Sequence, residues 1–79
     1  MSYFDRIQRC FAKVIGEHHA NQMTPDSTME EVKQWDSLNF VGLIMAVEDE
    51  FKIQLTTLEA AALTSVLAIE QYLQERLDE

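Results

Sequence analysis

Cysteine is almost absent. Cys10 stands alone among 79 residues, so no internal disulfide can form and a disulfide-stapled scaffold is excluded. One proline and two glycines leave little turn material, which argues against a many-stranded sheet and for long helices joined by few loops. Basic residues are scarce: six Lys and Arg face fourteen Asp and Glu, for a formal net charge of −8. That balance argues against nucleic acid, whose phosphates would be repelled, and equally against anionic membrane surfaces. It suits partners that present basic patches, with salt-sensitive association. No apolar run approaches the ~20 residues of a membrane span. The opening MSYFDRIQRC has no apolar signal core. The default setting is reducing and cytoplasmic. With no repeat, low-complexity tract or Pro/Ser-rich linker, residues 1–79 read as one free-standing domain.

The chain also lacks the constellations of a catalyst. There is no Gly-rich phosphate loop, and no Ser–His–Asp or Cys–His set. Glu48, Asp49 and Glu50 are consecutive, not the alternating ligands of a calcium loop. His18 and His19 are neighbours that point in different directions on a helix, and with Cys10 they lack the paired spacing of a zinc site. No catalytic residue and no metal is expected, and Cys10 reads as a partly buried small hydrophobe.

What is present is apolar residue at helical spacing, 47% of the chain. A domain of this size buries roughly 60% of its extended surface and has a stability of about 4–12 kcal/mol. Phe4, Ile7, Phe11, Val14 and Ile15 predict a first helix near 2–17, capped by Ser2, with Gly16 as a stop that Glu17, His18 and His19 could override. Residues 20–34 read as a long loop. Thr24-Pro25-Asp26 marks a turn in it, one helical turn follows Asp26, and Met23, Met29 and Val32 are pegs into the core. Thr56 or Thr57 caps a short helix near 57–63 whose alanines permit close packing. Thr64 or Ser65 caps a last helix near 65–78, with Val66, Ile69, Tyr72 or Leu73, and Leu77 inward. The fold class is all-α, a small four-helix bundle of three long helices and one short one.

The stretch Trp35–Phe51, WDSLNFVGLIMAVEDEF, organises the rest. Asp36 can cap a helix over 37–51, which leaves Ser37 in the first turn, where backbone N–H groups lack helical partners. Trp35 before the cap and Phe40 in the helix fit a hydrophobic staple; the alternative is a ring that lines the path of a bound acyl chain or touches a partner. Phe40, Leu43, Ile44, Val47 and Phe51 mark a core face. Leu38, Val41 and Met45 form a second apolar line, bracketed by Asp36, Glu48, Asp49 and Glu50. Lys52 counters the negative helix end. A reachable hydroxyl, an apolar strip and an acidic fringe on one helix describe an attachment and docking site.

Asp36-Ser37-Leu38 and the following Val41, Leu43, Met45, Ala46, Glu48, Glu50 and Phe51 resemble the acyl carrier protein family, densely from about Met29 to Leu55. The resemblance implies a four-helix fold of three long helices and one short one, and a long first loop. It implies a 4′-phosphopantetheine arm from coenzyme A on Ser37, placed there by a phosphopantetheinyl transferase. The arm's thiol would carry acyl intermediates between acyl-activating, acyltransferase or synthase enzymes of fatty-acid, polyketide, lipid or specialised metabolism. The docking residues it implies are Asp36, Leu38, Val41, Met45, Glu48 and Asp49, on a monomer. A phosphodiester at a helix N-terminus also suits the unpaired N–H groups and the positive dipole end. The sequence departs from the family at Asn39 and Gly42, where acids are common, and in the Lys33-Gln34-Trp35 lead-in, where a glycine turn is common. The departures favour a specialised carrier as much as a fatty-acid one. Leu43, Ile44, Val47, Phe51, Ile69 and Tyr72 could line an acyl cavity. The competing expectation is a carrier-like interaction module that never receives the arm.

Overall fold

The computed structural model describes residues 3–77. Five helical segments follow in order: α1 (Phe4–Ile15), α2 (Glu17–Ala20), α3 (Ser37–Phe51), α4 (Thr57–Ala61) and α5 (Val66–Leu77). Three are long and two short, and no strand occurs among the described residues. The all-α class expected from the sequence is what is found. The helix expected near 2–17 is cut at Gly16, whose φ of +91° lies where only glycine is unstrained. Beyond that break a fresh turn, α2, restarts with the Ala20 N–H on the Gly16 carbonyl at 3.0 Å. Ser2, the expected first cap, and Asp78 lie outside the described residues.

Helix α1 packs against both α3 and α5. Each contributes one helical stripe to the core: Ile7, Cys10 and Phe11 from α1, Leu43, Val47 and Phe51 from α3, Val66, Ile69 and Leu73 from α5. Leu73 takes the inward position and Tyr72 is left half-buried. Ala20 from α2, and Met23, Trp35 and Leu63 from the connections, plug the core. Among the described residues no charged side chain is buried, as expected for a core too small to pair one. At the far end of α3, the Arg6 guanidinium donates to Glu50 Oε2 at 2.9 Å and to the Glu50 carbonyl at 3.0 Å. It also lies 4.3 Å from the Phe51 ring centre, which ties α1 to the end of α3.

The long connection from Asn21 to Asp36 is held by its pegs. Met23 is buried, and Met29 and Val32 pack half-buried on the core. The Thr24 carbonyl accepts from Ser27 N–H at 3.0 Å, closing the turn at Pro25, and Thr28 O accepts from Val32 N–H at 3.1 Å, closing the single helical turn. One antiparallel rung, Thr28 with Ser65, sews this connection to the α4–α5 loop. Its bonds run from Met29 N–H to Thr64 O, 2.9 Å, and from Val66 N–H to Ser27 O, 3.0 Å. That rung sets the ground beside the start of α3.

Helix α4 opens with a full capping box: Thr56 Oγ1 accepts from Glu59 N–H at 3.1 Å, and Glu59 Oε1 accepts from Thr56 N–H at 2.9 Å. It ends at Ala61, two residues short of the expected limit. Ser65 Oγ accepts from Ala68 N–H at 3.0 Å at the start of α5.

Candidate functional site

Asp36 has extended backbone and its Oδ1 accepts from Asn39 N–H at 2.9 Å, so the expected cap is in place. Ser37 is the first residue of α3 and is exposed. Its own N–H and that of Leu38 have no acceptor within the helix, and the aligned peptide dipoles put partial positive charge there. Asn39 adds a second clasp that sequence reading missed. Its Nδ2 donates to the Gln34 carbonyl at 2.8 Å, so backbone and side chain together bracket Trp35, Asp36 and Ser37. An acid at this position could not donate that bond. Asparagine two residues past the serine was the available signal.

Trp35 is buried. Its N–H bonds to Val32 O at 3.0 Å, and its indole meets Phe11 of α1 edge-on, centroids 4.8 Å apart at 77°. The aromatic partner is thus on another helix, beyond the local Phe40 staple expected from spacing. A hollow of about 640 Å³ adjoins Ser37, with Thr28, Met29, Glu30, Trp35, Asp36, Thr64 and Ser65 in its walls. Among the described residues, Trp35 Nε1 is the one buried side-chain nitrogen or oxygen without a hydrogen-bond partner. Leaving such a donor unmet costs about 1–3 kcal/mol.

The outer side of α3 carries Leu38, Val41 and Met45, exposed by 82%, 59% and 64%. The expected acids divide. Asp36 and Asp49 are exposed, and Asp49 lies 4.0 Å from Lys52 in a solvated pair that contributes little. Glu48 is half-buried and its Oε2 accepts from Leu55 N–H at 2.9 Å, holding the α3–α4 loop. Glu50 turns away from the strip to Arg6, and this hydrogen bond holds its carboxyl below the usual range. Lys52 adopts φ +54° and caps the C-terminus of α3 through its backbone, its N–H on Glu48 O.

The residues expected to line an acyl cavity do not do so together. Leu43, Val47, Phe51 and Ile69 fill the core, because a domain this small spends its central side chains on packing. Ile44 instead joins Phe40, Val41 and Met45 along a groove of about 330 Å³ whose far wall is Leu55, Thr57, Ala60 and Ala61. The small α4 side chains open this groove where close packing was expected. Tyr72 lies outside it: its hydroxyl donates to Glu59 Oε2 at 2.8 Å, tying α5 to α4.

Cys10 is fully buried, and burial, with Glu50 nearby, pushes its thiol up to about 11. It stays protonated and unreactive in the native protein. His18 is exposed and His19 half-buried, their rings 5.3 Å apart. Among the described residues no group of three or more metal-ligating side chains gathers.

A family model described as "Phosphopantetheine attachment site" matches residues 5–73. An acyl carrier protein of Buchnera aphidicola subsp. Baizongia pistaciae (strain Bp) is 41% identical over 64 residues, which is 81% of this chain and 81% of that one. The chain belongs to the acyl carrier protein family. Membership brings a covalent 4′-phosphopantetheine as cofactor, a carrier function, and acyl-handling enzymes as the class of partner. The residues at the head of α3 fit that group: a reachable hydroxyl, free helical N–H groups for a phosphate, and an unmet donor nearby. No helix among the described residues is long and apolar enough to cross a membrane.

Proposed function

We propose that Ser37 is the residue that takes the arm and that the protein shuttles acyl groups between enzymes. The observation that carries this is the exposed hydroxyl on the first residue of α3, directly after the capping Asp36. In the loading step Ser37 Oγ forms a bond to the pantetheine-side phosphorus of coenzyme A. The pyrophosphate bridge breaks, adenosine bisphosphate leaves, and the hydroxyl proton goes to a base on the transferase. When bound, the arm supplies a terminal thiol that holds acyl groups as thioesters. The chain's own residues cap, orient and present. Asp36 fixes the turn and offers charge to a basic transferase face. Leu38, Val41 and Met45 supply apolar contact, with Glu48 and Asp49 as the acidic rim.

The groove between α3 and α4 suits a short acyl chain, because Phe40 and Ile44 give it an apolar floor and the alanines leave room. We read α2 as an offshoot of α1, so that α1, α3 and α5 with the short α4 make the three-long, one-short bundle of a single carrier domain over 1–79. No catalytic set accompanies Ser37, which supports a carrier and not an enzyme. Net charge of −8 favours a cytoplasmic monomer that meets basic partners one at a time.

Intact mass after incubation with coenzyme A and a broad-specificity phosphopantetheinyl transferase tests this, beside Ser37→Ala. A gain of one phosphopantetheine in the parent and none in the folded variant is expected. A folded parent that gains nothing points to a module acting by protein contacts alone, and gain in Ser37→Ala moves the site elsewhere.

A further inference from the structure

The carrier reading puts an arm on Ser37, and on that basis we infer that the hollow beside Ser37 receives the arm's amide-bearing segment, with Trp35 Nε1–H donating to an arm carbonyl. Ser37, Trp35, Thr64 and Ser65 all line this hollow. It is an open surface hollow of about 640 Å³. Trp35 is 2% exposed, and its indole N–H lacks the partner that buried indoles ordinarily find. The site is therefore short of one acceptor.

Charge selects what can supply it. Glu30 and Asp36 stand in the walls, and no Lys or Arg does. A phosphate is excluded from the interior and stays at the rim, against the first turn of α3. The next part of the arm is neutral and carries amide carbonyls between apolar carbons, which matches a hollow offering hydroxyls and the Met29 side chain, with the unmet indole N–H buried behind its wall. Nε1 is sealed from solvent, so a wall must give way for a carbonyl to reach it. Met29, half-buried and unbranched, is the side chain that can yield. Occupancy here and delivery of the arm's acyl end to the α3–α4 groove are alternative positions of the one arm.

Trp35 is the only tryptophan in the chain, so nitrogen-labelled protein gives a single indole resonance. The experiment loads such protein with an unlabelled arm and reads mass and indole on the same sample. With one arm gained, the indole hydrogen is expected to show cross-relaxation to arm protons and to exchange with solvent severalfold more slowly. One arm gained with no such cross-relaxation and unchanged exchange overturns the inference and leaves the indole to a trapped water. A folded sample that gains no mass overturns the carrier reading, and this inference with it. Trp35→Phe keeps a ring and removes the donor. In its loaded form the terminal thiol should react severalfold faster with a thiol reagent than in the parent, buried Cys10 remaining silent in both. Equal rates overturn the donor role. If Trp35→Phe does not fold, cross-relaxation in the parent decides.

Discussion

Helix α3 has two apolar faces, and the protein covers only one. Leu43, Val47 and Phe51 are 0%, 0% and 6% exposed, while Leu38, Val41 and Met45 on the other side are each more than half exposed. Residue type does not distinguish the faces; neighbours do. The inner face meets α1, and its burial stabilises the fold at about 25 cal/mol per Å² of apolar surface. The outer face meets solvent, so its apolar surface can stabilise only a complex. Leu58 on α4, 86% exposed, adds to the uncovered apolar surface. One helix thereby serves as scaffold on one side and leaves an uncovered apolar strip on the other, the strip proposed above as the meeting surface, with Ser37 at its head.

The strongest way to break this comparison is to truncate one residue from each face. Leu43→Ala should lose about 2–5 kcal/mol in urea unfolding, a large part of the stability of a domain this size. Leu38→Ala should change stability by no more than about 0.5 kcal/mol yet lower the transferase's kcat/KM, on the order of tenfold for a lost contact of about 1.4 kcal/mol. If Leu38→Ala unfolds the protein as readily as Leu43→Ala, the outer face is structural and the comparison fails.

How much of this was readable beforehand follows the range of the interactions. The α3 cap, a threonine cap for α4 and the core stripes depend on residues a few positions apart, and spacing exposes them; that Thr56 and Glu59 close a reciprocal box was not read. The two faces of α3 were legible for the same reason. The Phe11–Trp35 contact, the Thr28–Ser65 rung and the turning of Glu50 to Arg6 join distant segments, and no local pattern encodes them. Whether an acyl cavity exists was left open, because periodicity says which residues point inward, not whether they fill the space. The Gly16 break lay between: glycine signalled a stop, but the restart as α2 depended on a φ that sequence does not give.

A smaller perturbation acts where the inner face is fastened. Arg6 holds Glu50 and lies over Phe51, so Arg6→Met should cost about 1 kcal/mol at neutral pH, the scale of a partly exposed ion pair and a cation–π contact. The pH dependence has a definite sign. Glu50 has a folded pKa below its ordinary value, chiefly through the Arg6 hydrogen bond. Its contribution is therefore present above the ordinary carboxylate pKa and lost as pH falls through the lowered one. The stability gap between parent and variant should close in that acid window and stay constant between pH ~6 and 8. A gap that widens on acidification would contradict the pairing. The outer-face variant Leu38→Ala should show no such dependence.

At the head of the helix, Asn39→Asp places a family-like acid where this chain has a donor. The bond from Nδ2 to the Gln34 carbonyl is lost, a loss of about 1 kcal/mol. The backbone cap from Asp36 is kept, and a negative charge is added beside Ser37. Stability should fall slightly while loading by a basic transferase is maintained or accelerated at low salt. A fall in loading equal to that of Leu38→Ala would mean that the clasp positions Ser37 more than charge recruits the partner.

Gly42 offers the finest test, because it lies at the border between the faces. A Cβ there would come 3.4 Å from Val14 Cγ1 and 3.8 Å from Cγ2, on the side turned to α1. Its backbone is ordinary helix, so glycine is not demanded by conformation, and alanine should gain up to about 1 kcal/mol of helix propensity. Against this stands one tight methyl contact, which a half-buried valine can relieve by a shift of a few tenths of an ångström. Propensity outweighs it: Gly42→Ala should raise stability by about 0.5 kcal/mol, read as a higher urea midpoint with unchanged slope. Destabilisation would show that Val14 is held rigidly and that the inner face reaches further round α3 than its fully buried residues mark. Transferase kinetics should be unmoved in either case, since Cβ would face α1 and not the strip of Leu38, Val41 and Met45.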